Sequence, residues 1–252
     1  MVRKRKDKLF IKQFGLQRSG TNALKALLEM NFPKIRVLTT FLGNKHHPMN
    51  LETLETNSRN DDFAEFGLNI EQTRRIQEEI KDKSLPIIFQ IKKPIPWFDS
   101  YFRYQKQKIQ FSNPDANPLF DERWVVNSLS LWNKSVGSWL EFSKKYSNCL
   151  FFEHIELLTN PDDVVQRISE KFSFEKNRKI DPIENEMKRG HYKEHGKDLI
   201  NPYHKFDPSF HTDNKWLENY TPKLLDFAKL KVNELISSNK LFSESGFDFE
   251  SF

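Results

Sequence analysis

The segment Gly15-Leu16-Gln17-Arg18-Ser19-Gly20-Thr21-Asn22 has the G-x-x-x-x-G spacing with which a chain wraps its amides around a phosphate. That chemistry needs a strand before the loop and a helix after it, because unpaired N–H groups and the positive end of the helix dipole then face the anion. A loop for a magnesium-bound nucleoside triphosphate follows its second glycine with Lys and then Ser or Thr, which serve the phosphates and the metal. Here Thr21 and Asn22 stand at those places, and the cation comes earlier, at Arg18. The loop therefore points to a nucleotide whose 5′ end is gripped by an arginine and hydroxyl donors without a metal. A tight turn at Gly20 with a surface arginine is the competing account. Farther on, His191-Tyr192-Lys193-Glu194-His195 matches the H-x-x-E-H pattern of inverted zinc proteases. That pattern works from a helix that turns both histidines to one metal, whereas Gly190 and Gly196 bracket it here without apolar periodicity. No metal site is expected.

The elements that must position these residues follow from periodicity. Residues 9–14 read as a strand closed by Gly15, and residues 22–30 as a helix with Leu24, Leu27 and Leu28 on one face. Residues 35–42 have strand character and lead into a polar loop over 43–57; Ile70–Lys81 reads as a helix. Residues 86–91 form a nearly continuous apolar run, as in a strand covered on both faces. Pro94 and Pro96 forbid its continuation, a helix is expected over 97–104, and residues 106–122, with two Asn-Pro steps, read as a loop. Val125, Leu129, Trp132, Val136 and Leu140 recur at helical spacing over 124–146, before a buried strand at 149–152. Asn160-Pro161 followed by two aspartates starts a helix that buries Val165, Ile168 and Phe172. Residues 181–216 read as a long functional loop, and Thr221-Pro222 opens a last helix with Leu225, Ala228, Val232 and Leu235 on one side. Strands alternating with helices predict a three-layer α/β fold of P-loop type, with a central, mainly parallel sheet flanked by helices.

Composition narrows the class. A chain of 252 residues with 37% apolar side chains, 23 Phe and 5 Trp fills a substantial core, which excludes general disorder. The formal charge of +5 sits mostly in residues 1–8, which hold five basic side chains against Asp7. Without those eight residues, 35 basic side chains face 34 acidic ones, so no nucleic-acid partner is expected. Residues 1–8 read as a flexible basic tail and 9–252 as one domain. The single Cys149, the absence of an eighteen-residue apolar run and the charged N-terminus give the expectation of a soluble, cytoplasmic protein.

Arg18-Ser19-Gly20-Thr21 in this strand-to-helix setting resembles the P-loop sulfotransferases, which transfer the sulfuryl group of 3′-phosphoadenosine 5′-phosphosulfate (PAPS) to a hydroxyl or amine. Their second element is a basic residue at a strand end, a nearby proline, and a serine eight positions on; Lys92, Pro94 and Ser100 fit it, with Trp97 and Ser100-Tyr101-Phe102-Arg103-Tyr104 similar to the aromatic helix start. Trp132, Trp139, Phe152-Glu153 and Asn160-Pro161 extend the resemblance to about residue 172, closest in pattern to bacterial-type members. Lys92 stands for the more usual Arg, keeping charge but losing the bidentate fork. Phe152 stands for the more usual Tyr.

The resemblance implies that Arg18, Ser19, Gly20, Thr21 and Asn22 bind the 5′-phosphosulfate, with Arg18 also stabilising the leaving phosphate. Lys92 and Ser100 would bind the 3′-phosphate, and Lys188-Arg189-Gly190 would close over it. Gly43-Asn44-Lys45-His46-His47-Pro48 is similar to a Lys-His element of the family. It makes His46 the expected base, since imidazole titrates near neutrality, with Lys45 as electrostatic helper. Inert loop histidines are the alternative, and Glu65 and Glu153 are less favoured bases. The acceptor, a small molecule or carbohydrate, would be set by residues 43–67, 105–122 and 181–216. A metal-dependent P-loop kinase and a non-catalytic nucleotide-binding protein are the other functions weighed.

Overall fold

The computed structural model describes residues 8–60, 67–181 and 208–249. Four parallel strands, β1 (Leu9–Gly15), β2 (Ile35–Leu38), β3 (Ile87–Ile91) and β4 (Cys149–Glu153), lie in the order β2-β1-β3-β4. Parallel neighbours require crossovers, and the helices supply them: α1 (Thr21–Asn31), α2 (Leu51–Asn60), α3 (Ile70–Lys81), α4 (Pro94–Ser112) and α5 (Glu122–Lys145). After β4 come α6 (His154–Thr159), α7 (Pro161–Phe172), α8 (Ser209–Thr212), a 3₁₀ turn (Lys215–Asn219), α9 (Pro222–Ser238) and α10 (Lys240–Ser243).

The alternation along the strands divides the core into two layers. Phe10, Phe14, Ile87, Phe89 and Ile91 face Trp97 and Phe98 of α4 and Trp132, Val136 and Trp139 of α5. Phe89 is the hub, stacked on Phe14, Trp139 and Phe151 at 5.5, 5.8 and 4.7 Å between ring centroids. Ile11, Ile88 and Phe152 face the other way, onto Leu24, Leu27 and Leu28 of α1 and Val164, Val165 and Ile168 of α7. The expected parallel α/β sandwich is present. Chain order reverses between β1 and β3, and Gly15 lies beside Gln90 in register there. The segments leaving these two strands therefore emerge side by side, at the crevice where open α/β sheets bind ligands.

Four local expectations are corrected. Strand β2 stops at Leu38 rather than residue 42, because Leu42 and Gly43 take positive φ (66° and 94°) and turn the chain. Helix α2 forms within the expected polar loop: Asn50 Oδ1 accepts from the Thr53 amide at 2.7 Å, and Leu54 is fully buried. Helix α4 starts at Pro94, where a missing N–H costs nothing, and runs to Ser112, because no breaker precedes Asn113-Pro114. In α9 the buried face is Leu224, Ala228, Val232 and Ile236, one residue away from the expected Leu225 and Leu235 at its ends.

Candidate active site

The loop between β1 and α1 is shaped by its backbone. Arg18 and Gly20 both have positive φ, 67° and 80°, which folds the chain back on itself before α1. The buried Ser19 closes this turn, its amide and hydroxyl both donating to Leu16 O at 3.1 and 2.7 Å. Gln13 Nε2 donates to Thr21 O at 2.8 Å, and Trp97 Nε1 to Gln17 O at 2.7 Å, so β1 and α4 hold the loop from two sides. Gly20 supplies no side-chain cap, and the first-turn amides of α1 have no intrahelical acceptors. Arg18 is exposed at the lip, its guanidinium 5.9 Å from the Tyr104 ring centre.

Gly15 admits no side chain. A Cβ there would sit 2.5 Å from Thr21 Cγ2 and 3.0 Å from both Gln90 O and Ser19 Oγ. Gly15→Ala is expected to destabilise the fold by about 1–3 kcal/mol through overpacking. It should also weaken nucleotide binding by displacing the start of α1. Urea unfolding checks the first effect; parental stability with unchanged binding would contradict the tight fit.

The 43–48 loop packs directly on the β1–α1 loop. Gly15 N–H donates to Lys45 O at 2.8 Å, and Lys45 Nζ donates to Asn22 Oδ1 at 2.6 Å. His46 Nδ1 lies 2.6 Å from Gly15 O. A carbonyl only accepts, so Nδ1 carries the ring proton and Nε2 keeps its lone pair. Burial, aided by Lys45, His47 and Lys12 and opposed by the Gly15 bond, pushes the imidazole down to about 4. Burial and Lys25 lower the Lys45 ammonium to about 8. Beneath them Lys12, fully buried in β1, donates from Nζ to Thr39 O, Phe41 O and Gly43 O at 3.1, 2.7 and 2.6 Å. Trp139 Nε1 donates to His47 O at 3.2 Å, pinning the far side of the loop.

At the end of β3, Lys92 Nζ donates to Ser100 Oγ at 2.7 Å and lies 3.4 Å from His211 Nε2 of α8. Trp132 Nε1 donates to Lys92 O at 2.9 Å. The His154 ring stands edge-on to His211 at 4.8 Å, and its Cδ2 lies 2.8 Å from where a Gly20 Cβ would be. Burial, then Arg18, holds Lys92 well below its ordinary range. Burial, then Lys92, does the same for His154 and takes His211 down to about 3. Asp99 is raised by burial and pairs with Arg103 at 3.1 Å. Both amide atoms of the buried Gln90 and Nδ1 of His211 lack hydrogen-bond partners. Arg18, Lys92, Arg103, His154 and His211 thus converge with Asp99 as the fully buried carboxylate among them, a donor-rich setting that fits a multiply charged anion.

Nine of the expected site residues, Arg18 to Asn22, Lys45, His46, Lys92 and Ser100, lie around this crevice. Lys188, Arg189, Gly190, Glu65 and the 191–195 pattern lie outside the described residues. Glu153 ends β4, lining a pocket of about 130 Å³ with Lys92, Lys93, His154 and His211. It is thereby grouped with the Lys92 end of the crevice. Among the described residues no group of three or more His, Cys, Asp or Glu is arranged for a metal ion, and no helix is long and apolar enough to cross a membrane. Sequence reasoning missed Lys12, Gln90, His154 and His211. For the first two a signal existed, since a Lys and a Gln interrupt apolar strands that are buried on both faces.

The sulfotransferase domain family matches residues 6–196. No curated protein sequence matches the chain. Among solved structures, mouse sulfotransferase SULT7A1 complexed with PAP is similar at 19% identity and a TM-score of 0.53, covering 94% of this chain and 87% of that one. The sulfotransferase domain from the curacin biosynthetic pathway is similar at 13% identity and a TM-score of 0.44, covering 92% and 98%. The mouse structure shares the fold, and the family match carries no restriction to bacterial-type members.

Proposed function

Because this chain belongs to the sulfotransferase domain family, enzymes that use PAPS, we propose that its crevice transfers the sulfuryl group to a hydroxyl or amine of a small-molecule or carbohydrate acceptor. Arg18 and the loop to Asn22 hold the 5′-phosphosulfate, and Lys92 with Ser100 holds the 3′-phosphate. His46 Nε2 takes the proton of the acceptor hydroxyl as its oxygen bonds to sulfur and the bond from sulfur to the 5′-phosphate oxygen breaks. Arg18, Lys45 and the first-turn amides of α1 offset the charge that grows on that leaving oxygen.

The observation that carries this proposal is the double attachment of Gly15, whose N–H donates to Lys45 O and whose carbonyl accepts from His46 Nδ1. The expected base and the phosphate loop are thereby one rigid unit. The expected base nitrogen is left unprotonated, and the adjoining ammonium is fixed on Asn22 at the start of α1.

The test is incubation with PAPS and a panel of hydroxylated and aminated compounds, including mono- and oligosaccharides. Release of adenosine 3′,5′-bisphosphate and an acceptor heavier by one sulfuryl group is the expected result. Phosphoryl transfer from ATP with no turnover of PAPS would overturn the proposal.

A further inference from the structure

We propose that His211, backed by His154, is a further ligand of the nucleotide's 3′-phosphate and sets the preference for nucleotides that carry one. The proposal rests on the nucleotide site described above and extends it to α8, which neither the loop motif nor the strand-end motif includes.

Geometry supports it in three ways. First, His211 reaches the strand-end cation itself, with Nε2 3.4 Å from Lys92 Nζ, whose other partner is Ser100 Oγ at 2.7 Å. Nε2 is the ring nitrogen engaged with Lys92, which leaves Nδ1 as the nitrogen open to a ligand. Second, that Nδ1 is buried without a hydrogen-bond partner, and a buried polar atom left unpaired is costly enough to mark a site that a ligand completes. Third, α8 is fastened in place by its neighbours: Phe210 lies under the Arg103 guanidinium at 4.3 Å, and Lys215 Nζ donates to Ser209 Oγ at 3.0 Å. His154 closes the back, linking the pair to Gly20 of the phosphate loop.

The charges around the pair determine what enters. Arg18 comes from the β1–α1 loop, Lys92 and Lys93 from the end of β3, Asp99 and Arg103 from α4, and Glu153 and His154 from the end of β4 and the start of α6. Asp99 is engaged by Arg103, and Lys93 lies 3.8 Å from Asp248. Burial and the neighbouring cations keep both imidazoles neutral in the free protein. A phosphate dianion reverses that balance, so a proton is taken from solvent as the 3′-phosphate binds, and His211 becomes a cationic donor to it. A 5′-monophosphate without the 3′ group has nothing to offer the pair.

The experiment is calorimetric titration of the intact protein with adenosine 3′,5′-bisphosphate and with adenosine 5′-monophosphate, in buffers of different ionisation enthalpy. His211→Ala is expected to weaken the bisphosphate by about tenfold or more and the monophosphate by less than about twofold, tenfold being about 1.4 kcal/mol. His211→Gln keeps a donor that cannot take up a proton, so it should retain part of the affinity while taking up measurably fewer protons than the parent. Thermal melting of both variants shows whether they are folded. Equal loss for both nucleotides, or parental affinity and proton uptake in both variants, would overturn the role of His211. Failure of the parent protein to bind the bisphosphate would overturn the nucleotide site itself, and this inference with it.

Discussion

Replacing His46 with alanine is expected to lower the rate of sulfuryl transfer by about 10²–10⁴-fold while changing nucleotide affinity by less than about threefold. The asymmetry follows from where the ring is tethered. Its Nδ1 is bonded to Gly15 O, so Nε2 is the nitrogen left for the acceptor, and none of the described contacts of His46 is needed to hold a phosphate. The loop itself is closed by Ser19, Gln13 and Trp97, which the substitution leaves alone.

The same geometry fixes a pH signature. Burial pushes His46 down to about 4 in the free protein, so its neutral form persists well below the ordinary imidazole value of 6.5. The acidic limb of kcat/KM, which reports the free enzyme, should therefore lie far below pH 6.5. Bound PAPS places negative charge beside the ring and raises its pKa, so the acidic limb of kcat should fall at higher pH than that of kcat/KM. That upward shift also makes the imidazole a stronger base when the acceptor is present. Rate profiles against pH, with and without His46, measure this directly. Parental kcat in His46→Ala, or acidic limbs in the reverse order, would remove the residue from the mechanism.

Lys12→Met is expected to destabilise the protein by about 2–4 kcal/mol, although the side chains are similar in length. The ammonium satisfies three carbonyls of the turn that β2 makes on its way to Lys45 and His46, and methionine offers them nothing. Lys12→Arg should not rescue the loss, since a planar guanidinium does not fit a fully enclosed slot shaped for a point charge. Because the carbonyls belong to Thr39, Phe41 and Gly43, the folded fraction of Lys12→Met should also lose kcat more than nucleotide affinity. Urea unfolding monitored by tryptophan fluorescence checks the first effect and steady-state kinetics the second. A variant as stable and as fast as the parent would show that the 43–48 loop is held by other contacts.

The sequence made the β1–α1 loop and the Lys92–Ser100 pair legible because local rules determine them. A strand, a glycine frame and a helix set the course of the chain from Arg18 to Asn22, and Trp97 and Lys45 then fasten it. An eight-residue step across a helix start brings Lys92 to Ser100, as observed at 2.7 Å. Helix α3 is likewise bounded by a local signal, the Asn69–Gln72 capping box, and occupies the predicted Ile70–Lys81. Helix α2 escaped notice because its polar composition is overridden by the burial of Leu54, a tertiary contact. His154 and His211 are 57 positions apart in the chain and meet only through the docking of α8 on α6. The role of Lys12 is not local to its strand, because its three partners lie 27 to 31 residues away.

On the function proposed, the crevice between β1 and β3 takes a 3′-phosphorylated adenine nucleotide, gripped at its 5′ end by Arg18. Its most direct test is calorimetric titration of the protein, with EDTA present, against adenosine 3′,5′-bisphosphate and separately against ADP and ATP. The expected result is micromolar binding of the bisphosphate, preferred by about tenfold or more, equivalent to about 1.4 kcal/mol, and lost in Arg18→Ala. No binding of the bisphosphate, a preference for ATP, or undiminished affinity in Arg18→Ala would contradict it.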